Sequence, residues 1–213
     1  MNKIKKFVRP YYRSINGYLI QKQFSIKVTL NRRMGIPLKI VIGSSGKYQK
    51  DWIRSEKEFL DLLKEDDWNK YFKKDEISNL LAEHVWEHLS LEEGKKAASI
   101  CYKYLKRGGK LRIAVPDGYH NSSNYIEQVK PGGFGISADD HKILYNHENL
   151  RSFLEKEGFK INLLEYFDGK KNFHSQKWDI HDGMIRRSLK YDHRNKDGKP
   201  RYTSIIIDAI KEN

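Results

Sequence analysis

Cysteine is nearly absent from this chain. Cys101 is the single thiol among 213 residues, which excludes an internal disulfide framework and any four-cysteine metal site. Long hydrophobic runs are missing too, and nothing approaches the ~18 apolar residues of a membrane span. The longest run, Ile205-Ile206-Ile207, is broken at once by Asp208. Acidic residues are absent from the first quarter: twelve Lys or Arg precede Asp51, and no Asp or Glu does. The start, Met1-Asn2-Lys3-Ile4-Lys5-Lys6, is basic without an apolar h-region after it, so no secretory signal is expected.

What is present points to a folded, cytoplasmic protein. Hydrophobic residues make up 38% and aromatics 12% of the chain, too many for a disordered segment despite the 32% charged. The length suits one domain, or one domain with an appendage. Of the 41 Lys and Arg, the twelve before Asp51 leave 29 basic against 28 acidic residues in the rest. The net charge of +13 therefore belongs to the N-terminal quarter. The sequence divides into a basic arm, residues 1–35, and a nearly neutral body, residues 36–213. The arm carries Phe7, Tyr11, Tyr12, Tyr18, Leu19, Ile20 and Phe24 among its cations. Such a segment can lie on an anionic membrane through residues 1–33, or it can be a solvated arm whose apolar residues pack on the body. The body lacks the basic patch of a nucleic-acid site, so no nucleic-acid partner is expected.

The body alternates strands and helices. Leu38-Lys39-Ile40-Val41-Ile42, Trp52-Ile53, Ile77–Ala82, Lys110–Val115, Ile161–Phe167 and Thr203–Ala209 read as strands. Phe59, Leu62 and Leu63, then Trp68, Tyr71 and Phe72, recur at helical spacing. Ser90 and Glu93 form a capping box ahead of the stripe Ala97, Ile100, Cys101, Tyr104 and Leu105, and Gly108-Gly109 is read as the stop of that helix. Residues 118–146 read as a long irregular loop of the kind that serves as a lid. His147–Glu157 is a helix closed by Gly158. This rhythm predicts an α/β fold with a mostly parallel sheet, whose ligands bind at the carboxyl ends of the strands.

Three places carry chemistry. The first is Gly43-Ser44-Ser45-Gly46, which follows the first strand and lets a ligand approach the backbone closely. Glu56, after the next strand, is placed to accept hydrogen bonds from a ribose diol. Its structural alternative is a carboxylate at a helix N-terminus, within Ser55-Glu56-Lys57-Glu58.

The order of these pieces resembles the class I S-adenosylmethionine-dependent methyltransferases, and in particular a bacterial group of predicted methyltransferases of undefined substrate. The resemblance covers residues 36–212. It rests on Ile40-Val41-Ile42-Gly43-Ser44-Ser45-Gly46 with Trp52-Ile53, and on Leu81-Ala82-Glu83-His84-Val85-Trp86-Glu87-His88-Leu89. Tyr104-Leu105-Lys106-Arg107-Gly108-Gly109-Lys110-Leu111-Arg112, Val115-Pro116-Asp117-Gly118 and Glu157-Gly158-Phe159 complete it. It implies a Rossmann-like fold: a mostly parallel seven-stranded sheet flanked by helices, with the last strand antiparallel. It also implies S-adenosylmethionine as cofactor, held by Gly43, Ser44, Ser45, Gly46 and Glu56, with Glu83 and His84 beside its sulfonium or the incoming acceptor. The loop reads Gly-Ser-Ser-Gly where the wider superfamily has Gly-x-Gly-x-Gly.

The second place, His84-Val85-Trp86-Glu87-His88, also has the His-x-x-Glu-His pattern of zinc peptidases, with Glu165 as a downstream third ligand. Following a strand and preceding a capping box, the segment reads as a turn, so no metal is expected. His88 is assigned a hydrogen bond under the loop, and Trp86 a place against the sheet. The third place is the polar cluster Asp117, His120, Asp139, Asp140, His141 and Tyr145. A histidine oriented by a carboxylate can deprotonate an acceptor near neutral pH; His141 beside Asp140 is the first candidate base and His120 the second. His174, Trp178, His181, Asp182, Arg186 and Arg187 are assigned to the far side of the pocket.

Together these predict methyl transfer from S-adenosylmethionine to a small-molecule or glycan-type acceptor. The rivals are a non-catalytic binding module that docks through the arm and a zinc hydrolase using His84, Glu87 and His88.

Overall fold

A computed structural model describes residues 3–44 and 49–212, with side chains from residue 17 onward. A long helix, α1 (Lys3–Arg33), leads into β1 (Leu38–Val41) and β2 (Ile53–Arg54). Then come α2 (Glu65–Asn69), β3 (Ile77–Glu83), a single 3-10 turn at Trp86–His88 and α3 (Leu91–Tyr104). β4 (Leu105–Pro116), α4 (Ser123–Val129) and α5 (His147–Lys156) precede the last strands, β5 (Lys160–Phe167), β6 (Phe173–Ser175) and β7 (Ser204–Ile210).

The seven strands form one sheet in the order β2-β1-β3-β4-β7-β5-β6. β1 pairs in parallel with β2 and β3, and β3 in parallel with β4. The last strand, β7, runs antiparallel between β4 and β5, as the resemblance implies. β3 and β7 are buried along almost their whole length, as expected of central strands covered on both faces; β7 carries the run Ile205-Ile206-Ile207, whereas β3 also buries Ser78 and Asn79.

The seventh strand is β6, an antiparallel partner of β5 at the sheet edge. Three residues containing His174 and Ser175 carry no periodicity, so nothing in the sequence announces it. Three other readings need correction. Residues 56–64 make successive turns where helical spacing was expected, and α2 has five residues. α3 stops at Tyr104, because Leu105 takes extended backbone and begins β4. Gly108 therefore does not end the helix; it sits in β4 at φ +71° with its N–H on the Lys211 carbonyl at 2.7 Å. Finally, residues 118–146 contain α4, capped by the Ser122 side chain.

The second half of the basic arm packs on the body. Phe24 and Val28 of α1 are buried, and the Phe24 ring lies 5.2 Å from Phe59, 5.0 Å from Tyr71 and 5.8 Å from Phe72. Gln21 donates to the Tyr71 hydroxyl, and Arg32 forms a bidentate pair with Glu76. The opposite side of the helix leaves Tyr18, Leu19, Ile26 and Leu30 exposed. Phe7, Tyr11 and Tyr12 lie outside the described side chains. Among the described residues no helix is long and apolar enough to cross a membrane.

Candidate active site

From β1 the chain steps outward to β2 and then returns to place β3 on the other side of β1. The crevice at the carboxyl ends of β1 and β3 is therefore the topological switch point, where open α/β sheets bind ligands. Two cavities open there. One, of about 700 Å³, is lined by Gly43, Ser44, Gln49, Glu83, Arg186 and Arg187 among others. The second, of about 640 Å³, is lined by Gly43, Glu83, His84, Glu87, His88 and His141 among others. Gly43 and Glu83 border both.

Gly43 turns the chain out of β1 at φ +59°, a conformation glycine adopts without steric cost. Ser44 is then tied back to the neighbouring strand: its N–H donates to the Ser55 carbonyl at 3.0 Å, and its Oγ to Glu56 Oε1 at 2.7 Å. Arg54 Nη2 lies 3.5 Å from the same carboxylate oxygen. The turn and Glu56 thus form one unit, and Glu56 is not the start of a helix. Ser45 and Gly46 lie outside the described residues.

At the end of β3, Glu83 Oε1 accepts the Arg187 N–H at 2.9 Å. His84 follows at φ +56°, a region a non-glycine side chain occupies at a cost of about 1–3 kcal/mol. It is held there by its N–H to the Ala114 carbonyl (2.8 Å) and by Nε2 against Ser204 Oγ (3.0 Å). Its Nδ1 lies 2.7 Å from Glu87 Oε1. Burial pushes the fully enclosed Glu87 carboxyl up, but the charge attraction to His84 outweighs this and holds it below the usual range.

The proposed dyad of His141 with Asp140 does not form. Asp140 Oδ2 pairs instead with His88 Nδ1 at 3.1 Å, and His141 Nδ1 faces the Val129 carbonyl at 2.7 Å. The loop is docked on the Trp86–His88 turn by the Lys142 N–H, which donates to the Glu87 carbonyl at 2.7 Å. This brings the His88 and His141 rings to 4.9 Å, centroid to centroid. His88 lies under the loop as expected, bonded to Asp140; Trp86 is fully buried, with Nε1 donating to the Gly94 carbonyl of α3 at 3.2 Å. The helical face shared by His84 and His88 does not form, because the segment is a single 3-10 turn. Glu165 is remote from it: its oxygens accept from Trp178 Nε1 and the Leu189 N–H.

Other sequence candidates lie elsewhere. Asp117 is buried, with its carboxylate receiving the Tyr119 and Phe167 N–H groups; burial, offset by those bonds, raises its pKa to about 6. Asp139 is exposed, and Tyr145 is buried beside the turn. Of the far-side residues only Arg186 and Arg187 reach a cavity. His174 pairs with Asp168 at the sheet edge, Asp182 with Lys110, and Trp178 covers the Arg112 guanidinium. Gln49 was missed: it bridges the Ile180 carbonyl and the Met184 N–H at a cavity wall. So were Tyr191, Asp192, His193 and Arg194, in a segment with no periodic signal.

His120 lines neither cavity. It is 1% exposed, stacked 3.9 Å from Tyr125 and packed 4.6 Å from Phe167. Burial pushes its pKa down to about 4, so it is a neutral core histidine and no accessible base. The folded chain keeps His120 neutral where the unfolded chain, titrating near ~6.5, takes up a proton. Its contribution to stability is full above pH ~6.5 and is lost as pH falls from there toward 4, at about 1.4 kcal/mol per unit. Urea melts at pH 7 and pH 5 should therefore show the wild type losing roughly 2 kcal/mol more than His120→Gln does. Equal losses in the two proteins would mean that His120 is free to protonate in the fold.

No family model matches the chain, and no curated protein matches it. Solved structures do resemble it. An S-adenosylmethionine-dependent methyltransferase of Archaeoglobus fulgidus is 15% identical, covering 92% of this chain and 99% of that one with a TM-score of 0.44. A Thermotoga maritima methyltransferase, described as a possible histamine N-methyltransferase, is 14% identical over 98% of this chain and 97% of its own, with a TM-score of 0.46. A Haemonchus contortus phosphoethanolamine N-methyltransferase bound to S-adenosyl-L-methionine is 14% identical, covering 83% of this chain and 49% of its own, with a TM-score of 0.40. The strand order itself, with antiparallel β7 between β4 and β5, is a Rossmann-like arrangement of a mostly parallel sheet.

Proposed function

We propose that the chain transfers a methyl group from S-adenosylmethionine to a small-molecule or glycan-type acceptor. The observation that carries this reading is the unit formed by Gly43, Ser44 and Glu56 at the switch point, with Glu83 and His84 across the crevice. The turn admits the methionine part of the cofactor against the backbone, and Glu56 accepts from the ribose hydroxyls. The acceptor lies against His88, Asp140 and His141 in the second cavity. Rate enhancement comes chiefly from holding acceptor and methyl in line.

Titration calorimetry with S-adenosylmethionine and S-adenosylhomocysteine is expected to give micromolar binding of both. Glu56→Ala removes charge-assisted hydrogen bonds of about 1.5–3 kcal/mol and should weaken both ligands by roughly 10- to 100-fold. Failure of the folded wild type to bind either ligand overturns the reading in favour of a non-catalytic module that docks through α1. Binding left unchanged in Glu56→Ala removes the ribose role of that residue.

A further inference from the structure

We infer that Glu87, His88 and His141 form a binding site for one divalent transition-metal ion on the wall of the second cavity. One ligand atom from each of the three residues lies within 4.8 Å of those of the other two, so a modest contraction closes them around an ion. Two imidazoles and a carboxylate are a donor set for first-row ions such as Zn²⁺ or Mn²⁺, and three protein ligands leave coordination positions open.

Two further features point to a cation. Glu87 is 0% exposed, and neither of its carboxylate oxygens has a hydrogen-bond partner. His84 Nδ1 comes within 2.7 Å of Oε1 but lacks the alignment of a hydrogen bond. The buried hydroxyl of Tyr145 also has no partner. Buried carboxylates are nearly always paired or bound to metal; the charge of His84 lies beside Oε1, while Oε2 has no partner among the described residues.

The second feature is how the two rings are held. His141 Nδ1 donates to the Val129 carbonyl, and His88 Nδ1 pairs with the Asp140 carboxylate. In metal sites the ligating histidine places its other ring nitrogen on a backbone carbonyl or a carboxylate in this way, which fixes the tautomer and leaves Nε2 as the free lone pair. The zinc-peptidase pattern in the sequence contains two of these ligands but not the third. His84 is displaced by the 3-10 turn, and His141 enters from the loop docked through Lys142.

All three ligands line the cavity proposed for the acceptor, so an ion held by them would bind an acceptor oxygen and lower the pKa of an acceptor hydroxyl. That use rests on the methyltransferase reading; ion binding itself does not. The test is calorimetry on the untagged full chain, stripped with chelator and titrated with Zn²⁺ and separately with Mn²⁺, with S-adenosylhomocysteine titrated into the same samples.

One ion per chain is expected, with affinity falling by at least about 100-fold in His88→Ala and in His141→Ala and by about 10-fold in Asp140→Asn. S-adenosylhomocysteine affinity should stay within about 3-fold in all three, which also reports that they are folded. Failure of either ion to bind the wild type overturns the site, as does undiminished binding in the His88→Ala/His141→Ala double variant. Ion binding without S-adenosylhomocysteine binding leaves the site standing and overturns the methyltransferase reading instead.

Discussion

Asp208→Ala is expected to destabilise the fold by about 3–5 kcal/mol, the cost of leaving a buried charge without its partner. Arg112 on β4 and Asp208 on β7 stand directly opposite each other in the antiparallel ladder. They are 1% and 4% exposed. Nε donates to Oδ1 at 2.7 Å and Nη2 to Oδ2 at 2.8 Å, a bidentate pair. Nη1 spans the carbonyls of Asp179 and Gly183, and the guanidinium lies 5.0 Å from the Trp178 ring. The pair therefore anchors the segment that carries Met184, Arg186 and Arg187 to the cavity wall. In Asp208→Ala those carbonyl contacts remain, but the guanidinium loses its hydrogen-bonded counter-ion and keeps only the longer-range attraction of Asp182.

For a chain of this size the loss corresponds to a melting temperature lower by roughly 10–15 °C. Replacing both partners with leucine should recover a large part of it, since apolar replacement of a whole buried pair is often close to neutral. Denaturant melts of the single and double variants check both statements. A single variant within 1 kcal/mol of wild type would show that water reaches the guanidinium.

The same pair marks what the sequence could and could not disclose. Asp208 is legible there only as the residue that interrupts Ile205-Ile206-Ile207; its partner lies 96 positions away, and no local pattern connects them. The strand carrying Ile205-Ile206-Ile207 was legible because burial on both faces favours apolar side chains. So was α3, whose capping box is a local device. The failures share a cause. Residues 56–64 have helical spacing, yet Phe59 and Leu60 are buried by successive turns under α1. Gly108 looked like a helix stop because a positive-φ glycine serves equally at the mouth of a strand.

Of the residues that line the two cavities, those contiguous in sequence were legible: Gly43 with Ser44, and Glu83 with His84. The partners were not, because they are set by docking. His141 was matched with its sequence neighbour Asp140, but Asp140 closes a 3-10 turn, Ala138–Asp140, and reaches His88 across 52 positions, while His141 faces the Val129 carbonyl. The His-x-x-Glu-His segment folds as a 3-10 turn in which His84 Nδ1 lies 2.7 Å from Glu87, and not as a helical face shared by His84 and His88.

Gly43→Val is expected to remove cofactor binding, by at least about 100-fold or roughly 3 kcal/mol, while the domain stays folded. Space is not what makes the position special: among the described residues a Cβ here would meet Val85 Cγ2 alone, at 3.4 Å. The backbone is at φ +59°, where a β-branched residue is a steric outlier. Valine must either carry that strain, of about 1–2 kcal/mol, or swing the turn out of its present path. Swinging the turn would break the Ser44 bonds to Ser55 and Glu56 that shape the ligand face. A side chain retained in place would occupy the wall shared by both cavities. Gly35→Ala separates these effects. Gly35 has a similar φ of +66° with nothing within 4 Å of its Cβ position, so its substitution carries comparable strain without touching the crevice. Thermal melts should show both variants mildly destabilised, whereas calorimetry with S-adenosylhomocysteine should show binding lost only in Gly43→Val. If both variants bind as the wild type does, the cofactor does not rest on this turn, and the crevice between β1 and β3 loses its assignment.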